Sequence, residues 1–264
     1  MLYYVLDLEY NQFFDFSDNK PRPEPACPAE IIQMGLVVLD DKLNVKEKRE
    51  TLVKPQIFRR LHPHVARVTG LSISDLQRAP SFPDAFLEFF DFAFGKRAVF
   101  CTWGADDLKE LFRNILYYDL NHKRLTRRYL NVQHLYWLHS QKGKSDGENG
   151  GQRQTALKTA VDTLSIPSER PFHNALSDAE YTSDVFTRLL LDKAVNLSPQ
   201  PQILNLKDLQ DIITGRVSGV NIRLLYAHAE HSLRRKLTER DKAAILEIYT
   251  LGRTGKFDSR RRKK

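Results

Sequence analysis

The feature that most constrains this chain is an apolar N-terminal run with two acids on one side of it, Leu2-Tyr3-Tyr4-Val5-Leu6-Asp7-Leu8-Glu9. The aromatic and branched residues of Leu2–Leu8 predict a buried strand. Residues two apart on a strand face the same way, so Asp7 and Glu9 share a face. An apolar strand rarely carries two acids on one face without a counter-charge, because burial penalises the ionised form. Asp-x-Glu alone is common, and its weight here comes from the acids further along the chain.

Two further acidic signatures come in fixed order, Trp103-Gly104-Ala105-Asp106-Asp107 and His173-Asn174-Ala175-Leu176-Ser177-Asp178. Each carboxylate ends an apolar stretch or opens a helical one, where a fold can gather distant acids around a metal. Four carboxylates and one histidine suit two divalent cations and the activation of a water, the chemistry of phosphodiester hydrolysis. Mg²⁺ and Mn²⁺ favour oxygen ligands, so Asp7, Glu9, Asp107 and Asp178 are the expected metal ligands, with Asp7 bridging. Histidine is the side-chain type that exchanges protons near neutral pH. His173 precedes Asp178 by five residues, on a loop entering a helix, and is the expected acceptor of the water's proton. Taken singly, these acids also read as caps and surface charges, and Asp107 at a helix start complements the helix dipole by itself.

Around these signatures the pattern alternates. Glu30–Leu39 and Val45–Val53 read as strands that complete a meander with the first. Helical spacing covers Pro83–Phe94, Ala105–Leu116, Thr155–Leu164 and Ala175–Leu191, and Arg97–Thr102 and Arg128–Val132 read as strands. Residues 142–153 are rich in Gly, Lys and Asp and read as a flexible loop. The predicted fold class is α/β, a mixed sheet flanked by helices with the first strand central. Pro199-Gln200-Pro201 reads as a linker. Thr238-Glu239-Arg240-Asp241 resembles a capping arrangement for a helix to about Leu251, and the Arg260–Lys264 tail reads as disordered.

Together these residues resemble the DEDDh branch of 3′–5′ exonucleases, which have a ribonuclease H-like fold. Asp7 and Glu9 match the first motif, and Asp107 the second, within a Trp-Gly-x-x-Asp version whose spacing favours it over Asp106. His173 and Asp178 match the third, His-x4-Asp. Glu30–Gly35, Thr69-Gly70-Leu71 and Gln154–Leu164 resemble the family's supporting segments, and the resemblance spans about residues 1–195. It implies a catalytic set of Asp7, Glu9, Asp107, His173 and Asp178, two Mg²⁺ or Mn²⁺ ions, and release of nucleoside 5′-monophosphates from the 3′ end of single-stranded nucleic acid or a 3′ overhang. The long loop after the first motif and the Trp-Gly form look most like the enhanced-RNAi exonucleases and their bacterial sporulation-inhibitor relatives, which favours RNA. A DNA repair or proofreading exonuclease, and a silent nucleic-acid-binding adaptor on the same scaffold, are the alternatives.

The resemblance places Tyr10 and Trp103 near the terminal base and sugar, where aromatic faces stack on bases. Tyr10 stands where the family often has a small residue. Met34 and Leu71 are expected in the core. Phe13, Phe14 and Phe16 are left between a wedge over the substrate strand and packing on the body.

The net charge of +8 is unevenly spread. Residues 1–200 hold 26 basic and 26 acidic side chains, and residues 201–264 hold 15 and 7. The expected organisation is an exonuclease domain over 1–198 and a small, basic, mainly helical extension over 199–264. The extension either contacts a polyanion, a ribosome or a protein, or is simply solvated. Cys27 and Cys101 form no disulfide framework, and with no leader or membrane-spanning run visible, a reduced cytoplasmic setting is expected.

Overall fold

The computed structural model describes residues 1–12, 26–141, 155–192, 200–207 and 209–210, with scattered positions between 216 and 245. Its strands are β1 (Leu2–Asn11), β2 (Glu30–Leu39), β3 (Val45–Leu52), β4 (Ala98–Thr102), β5 (Arg128–Asn131), β6 (Gln202–Ile203), β7 (Arg216–Val217) and β8 (Val220–Asn221). Its helices are α1 (Pro63–Thr69), α2 (Ile73–Gln77), α3 (Phe82–Phe90), α4 (Asp106–Tyr117), α5 (Val132–Ser140), α6 (Leu157–Thr163) and α7 (Ala175–Leu191).

Six strands form one mixed sheet in the order β3-β2-β1-β4-β5-β6. The first three make the expected antiparallel meander, whereas β1–β4 and β4–β5 are parallel. β2 is buried along its whole length, its apolar run broken only by Glu30 and Gln33, which are buried too. β3 forms one edge, and its alternating charges over Val45–Leu52 keep that edge soluble.

Alternation along β1 sends side chains into two cores. Tyr4, Leu6 and Leu8 pack with Phe82, Phe86 and Phe90 of α3 and Leu108, Leu111 and Phe112 of α4. Val5 packs on the other face with Leu135 of α5, Val161 of α6 and Ala179, Tyr181 and Val185 of α7. The sheet is therefore the middle of three layers, a ribonuclease H-like α/β arrangement with β1 inside it.

Several elements differ in extent from the sequence expectation. β1 continues to Asn11 because Asn11, though polar, is fully buried with its side-chain amide hydrogen-bonded. The expected helix to Phe94 stops at Phe90 and tightens into a 3₁₀ turn over Asp91–Ala93. The helices α1, α2 and α5 are additions to the sequence expectation; each starts at a side-chain cap, His62, Ser72 and Asn131. β6 lies beyond residue 198 and extends the same sheet by pairing with β5, while Leu206 and Leu209 join the α3–α4 core. Within the expected helical extension, β7 and β8 pair as a small hairpin. The expected capping arrangement is present, since Asp241 N–H donates to Thr238 Oγ1 at 3.2 Å and Thr238 N–H to Asp241 Oδ2 at 2.8 Å. Phe13, Phe14, Phe16, the 142–153 loop and the Arg260–Lys264 tail lie outside the described residues. Both cysteines are buried. Among the described residues no helix is long and apolar enough to cross a membrane.

Candidate active site

The site forms where β1 and β4 part. Their parallel pairing ends at Val5 and Cys101, and β1 runs on alone on that side through Asp7 and Glu9. Such a fork, at the C-terminal ends of parallel strands, is where α/β sheets leave a crevice. A register shift between Glu9 and Tyr10 marks a bulge in the pairing with β2.

α4 supplies Asp107. β4 ends at Thr102, whose Oγ1 donates to the Gly104 carbonyl at 2.6 Å. Gly104 turns the chain with φ of 102°, a conformation that side-chain-bearing residues rarely adopt. Asp106 and Asp107 both occupy the first turn of α4. Asp106 is exposed and Asp107 is half-buried, so the structure directs Asp107 to the fork. Tyr10 donates its hydroxyl to Asp107 Oδ1 at 2.6 Å.

α7 supplies Asp178 and rests on a glycine. Asp7 is opposite Gly35 in the β1–β2 ladder. A Cβ on Gly35 would lie 2.1 Å from the Ala175 carbonyl carbon and 2.3 Å from the Leu176 nitrogen. Only glycine lets the first turn of α7 lie directly on the sheet. Gln33 then holds that turn, accepting from Ala175 N–H at 3.3 Å and donating to Glu50 at 2.8 Å. Asn174 donates to the same Glu50 oxygen at 2.8 Å and caps α7 by accepting from Ser177 N–H at 2.9 Å. Gln33 and Glu50 were not singled out from the sequence, although a polar residue inside the apolar run Glu30–Leu39 is a visible signal.

Asp178 Oδ2 accepts from the His173 backbone N–H at 3.0 Å. Its Oδ1 is buried with no hydrogen-bond partner among the described residues. His173 is exposed and sits in the left-handed region, with φ of 63°. For a non-glycine residue that conformation carries strain, which tends to gather at functional sites. One ligand atom each from Glu9, His173 and Asp178 falls within a 4.8 Å span.

Convergence of like charges in a partly dry crevice raises every carboxyl. Asp7 is pushed well above the ordinary carboxylate range, first by burial and then by Asp107, Asp178 and Glu9. Glu9 rises to about 8, through burial and then Asp178 and Asp107. Burial lifts Asp107 to about 7, although the Tyr10 hydroxyl pulls it down. Burial also raises Asp178, opposed by the backbone and side chain of His173. Such a group cannot ionise fully without a cation. Hard oxygen donors and an orphaned buried Oδ1 are what a divalent ion would satisfy, so the residues fit the expected metal.

Trp103, expected at the nucleotide, is half-buried, donates its indole N–H to the Thr155 carbonyl at 2.9 Å and tilts against Tyr136. Met34 is fully buried in the α3–α4 core. Leu71 packs on the small cluster of Ile32, Val65 and Leu76.

Beside the fork, β1 ends in a second polar clamp that sequence reasoning missed. Buried Asn11 donates to the Phe58 and Arg60 carbonyls, each at 2.9 Å, and accepts from His62 N–H at 3.0 Å. Its ladder partner Glu30 accepts from the backbone N–H groups of Gln56, Ile57 and Phe58. The 56–62 segment is thereby fixed to the strand that carries Asp7 and Glu9.

A three-layer mixed sheet with acids gathered at its parallel-strand ends defines a ribonuclease H-like protein. The chain belongs to the exonuclease family, whose RNase_T model, described as Exonuclease, matches residues 6–186. Solved structures with the same fold include the nuclease domain of 3′hExo, a DEDDh family member, bound to rAMP. It is 20% identical with a TM-score of 0.61, over 77% of this chain and 97% of that one. The Mg²⁺- and Mn²⁺-bound form of Schizosaccharomyces pombe Pop2p is 15% identical with a TM-score of 0.52, over 74% of this chain and 85% of that one. The zinc-bound Escherichia coli ExoI–ssDNA complex is 14% identical with a TM-score of 0.56, over 73% of this chain and 41% of that one. No curated protein matches this chain in sequence.

Proposed function

We propose that the protein is a divalent-metal-dependent 3′–5′ exonuclease of the DEDDh type, acting on single-stranded ends with RNA favoured. The observation that carries this reading is the convergence of Asp7, Glu9, Asp107 and Asp178 at one fork, with their carboxyls raised by burial and by each other.

Asp7, Glu9, Asp107 and Asp178 would hold two Mg²⁺ or Mn²⁺ ions, which supply charge neutralisation and a clamp on the attacking and leaving oxygens. Asp7, on the central strand and beside all three other acids, would help to hold both ions. Asp178 keeps Oδ2 on the His173 backbone and leaves Oδ1 for the ligand role. The Tyr10 hydroxyl donates to Asp107 Oδ1 and so holds that carboxyl in place. His173 takes the proton of the attacking water, and its exposure lets the imidazole pass that proton to solvent. Tyr10 and Trp103 are placed by resemblance at the terminal nucleotide. The structural relatives bound to rAMP and to ssDNA support a nucleic-acid substrate. RNA is preferred here because the Trp-Gly-x-x-Asp form and the long loop after the first motif look most like a branch several of whose members act on RNA.

The test is a time course on 5′-labelled and 3′-labelled RNA and DNA of one sequence, with Mg²⁺ or Mn²⁺. A ladder shortening from the 3′ end, faster on RNA and absent in Asp7→Asn, is expected. Endonucleolytic fragments, or activity that survives Asp7→Asn, would refute the proposal.

A further inference from the structure

At the opposite pole of the sheet lies a second charged feature with no part in the reaction. β4 and β5 are parallel, so the residues that enter them meet at one end. Lys96 and Arg97 enter β4; Lys123, Arg124, Arg127 and Arg128 lead into or open β5. Gly95 N–H donates to the Arg124 carbonyl at 2.8 Å, which joins the two loops. Leu204 N–H donates to the Arg127 carbonyl at 2.9 Å, which brings in the segment after β6 with Lys207. Between them is a cleft of about 400 Å³ lined by His122, Lys123, Arg127, Asn205, Lys207 and Gln210.

All seven Lys and Arg side chains are exposed, and none takes part in an ion pair among the described residues. Over residues 118–128 the chain holds four cations against a single acid, Asp119. Several cations elsewhere on the body are matched, as in Arg49 with Glu47 and Asp91, or Arg170 with Glu180 and Asp184. The cleft is also built. Leu206 and Leu209 anchor its outer wall in the α3–α4 core, Tyr129 donates to Gln202 at 2.7 Å, and β6 closes on β5. A fixed concave cluster of cations that have no ion-pair partner among the described residues, with amide side chains beside them, suits a chain of phosphodiesters. α4, whose first turn brings Asp107 to the fork, runs from there toward this pole, roughly 18 Å for its twelve residues.

We infer that this distal cleft is a second binding site for the phosphate backbone of the nucleic-acid substrate, holding the strand several nucleotides from the end being cleaved. The inference rests on the proposed nuclease function for its choice of polyanion. Length dependence is the consequence. A substrate of two or three nucleotides reaches only the fork, whereas a strand of about twenty also engages the distal pole.

The experiment compares the full-length protein with the triple variant Lys123→Gln, Arg128→Gln, Lys207→Gln. None of these residues lies near the fork, and none donates a hydrogen bond from its side chain among the described residues. Hydrolysis of a trinucleotide is expected to be unchanged. For a 20-mer oligoribonucleotide, KM is expected to rise about ten-fold near physiological salt, and the slope of log K against log salt to flatten by about two. The companion variant Lys123→Arg, Arg128→Lys, Lys207→Arg keeps the charges and is expected to behave as wild type, which separates charge from folding. Binding of a labelled 20-mer in EDTA is read by anisotropy in parallel. If neither protein hydrolyses anything, the nuclease proposal fails while that arm still tests the cleft. Unchanged 20-mer affinity and salt slope in the triple variant overturn the inference. So does loss of binding to anionic phospholipid vesicles with oligonucleotide binding intact.

Discussion

Replacing Glu9 by Gln is expected to stabilise the metal-free protein at alkaline pH while disabling it. The Glu9 carboxyl titrates at about 8 in the fold against 4.5 in an unstructured chain. Between those values the folded state holds a proton that the unfolded state has lost, so stability falls as pH rises through that window and levels off above it. At roughly 1.4 kcal/mol per pH unit, keeping Glu9 ionised at pH 8 costs the fold at most about 4–5 kcal/mol. Half of that moves Tm by roughly 5–10 °C in a body of this size. Neutral Gln removes the charge and also relieves Asp7, for which Glu9 is a repelling neighbour. The assay is thermal melting in EDTA across pH 5 to 9. The expected result is a wild-type Tm that declines through the window, a Gln variant that declines less, and curves that meet near pH 5. Saturating Mg²⁺ should raise wild type more at pH 8 than at pH 5, and the variant less than wild type. A Tm gap between the two proteins that is constant with pH would refute the reasoning.

Gly35→Ala should separate the third motif from the first. Carbon atoms pack at about 3.5–4.0 Å, so the first turn of α7 must retreat by more than 1 Å from the 2.1 Å approach a new Cβ would make. A loss of about 10²-fold in kcat/KM is expected, and wild-type turnover in a correctly folded variant would contradict the contact. Tyr10→Phe removes the 2.6 Å bond to Asp107 and should weaken Mn²⁺ binding about ten-fold at neutral pH, as the unassisted carboxyl shifts further above its value of about 7. A metal titration followed by calorimetry reads this directly, and unchanged affinity would remove Tyr10 from the support of the site.

The acids were legible because chemistry had to be written into apolar surroundings. Asp7 and Glu9 interrupt a strand, and Asp178 falls four residues after a capping Asn174. The central place of the first strand was also legible, since an apolar run flanked by a meander and then by alternating helix and strand has few other seats. The scaffolding was harder to read. Nothing local to Gln33 or Glu50 announces that they meet the start of α7, from 142 and 124 residues away. Tyr10 was read by resemblance as a residue for the nucleotide; its hydroxyl rests on Asp107, a contact spanning 97 residues. α1 and α2 have only 7 and 5 residues, and their starts are set by His62 and Ser72 caps more than by any apolar stripe. β6 is two residues long and exists because β5 offers an open edge.

The bare backbone contact between Gly35 and the start of α7 also governs when the four acids come together. Asp178 reaches the fork only after the last of the three acidic segments has been synthesised and laid upon an already paired β1–β2 ladder. A chain still emerging, or one that opens at α7, holds Asp7, Glu9 and Asp107 but lacks the fourth acid and the imidazole. On the proposed reading, the set of four acids is therefore completed only late in assembly.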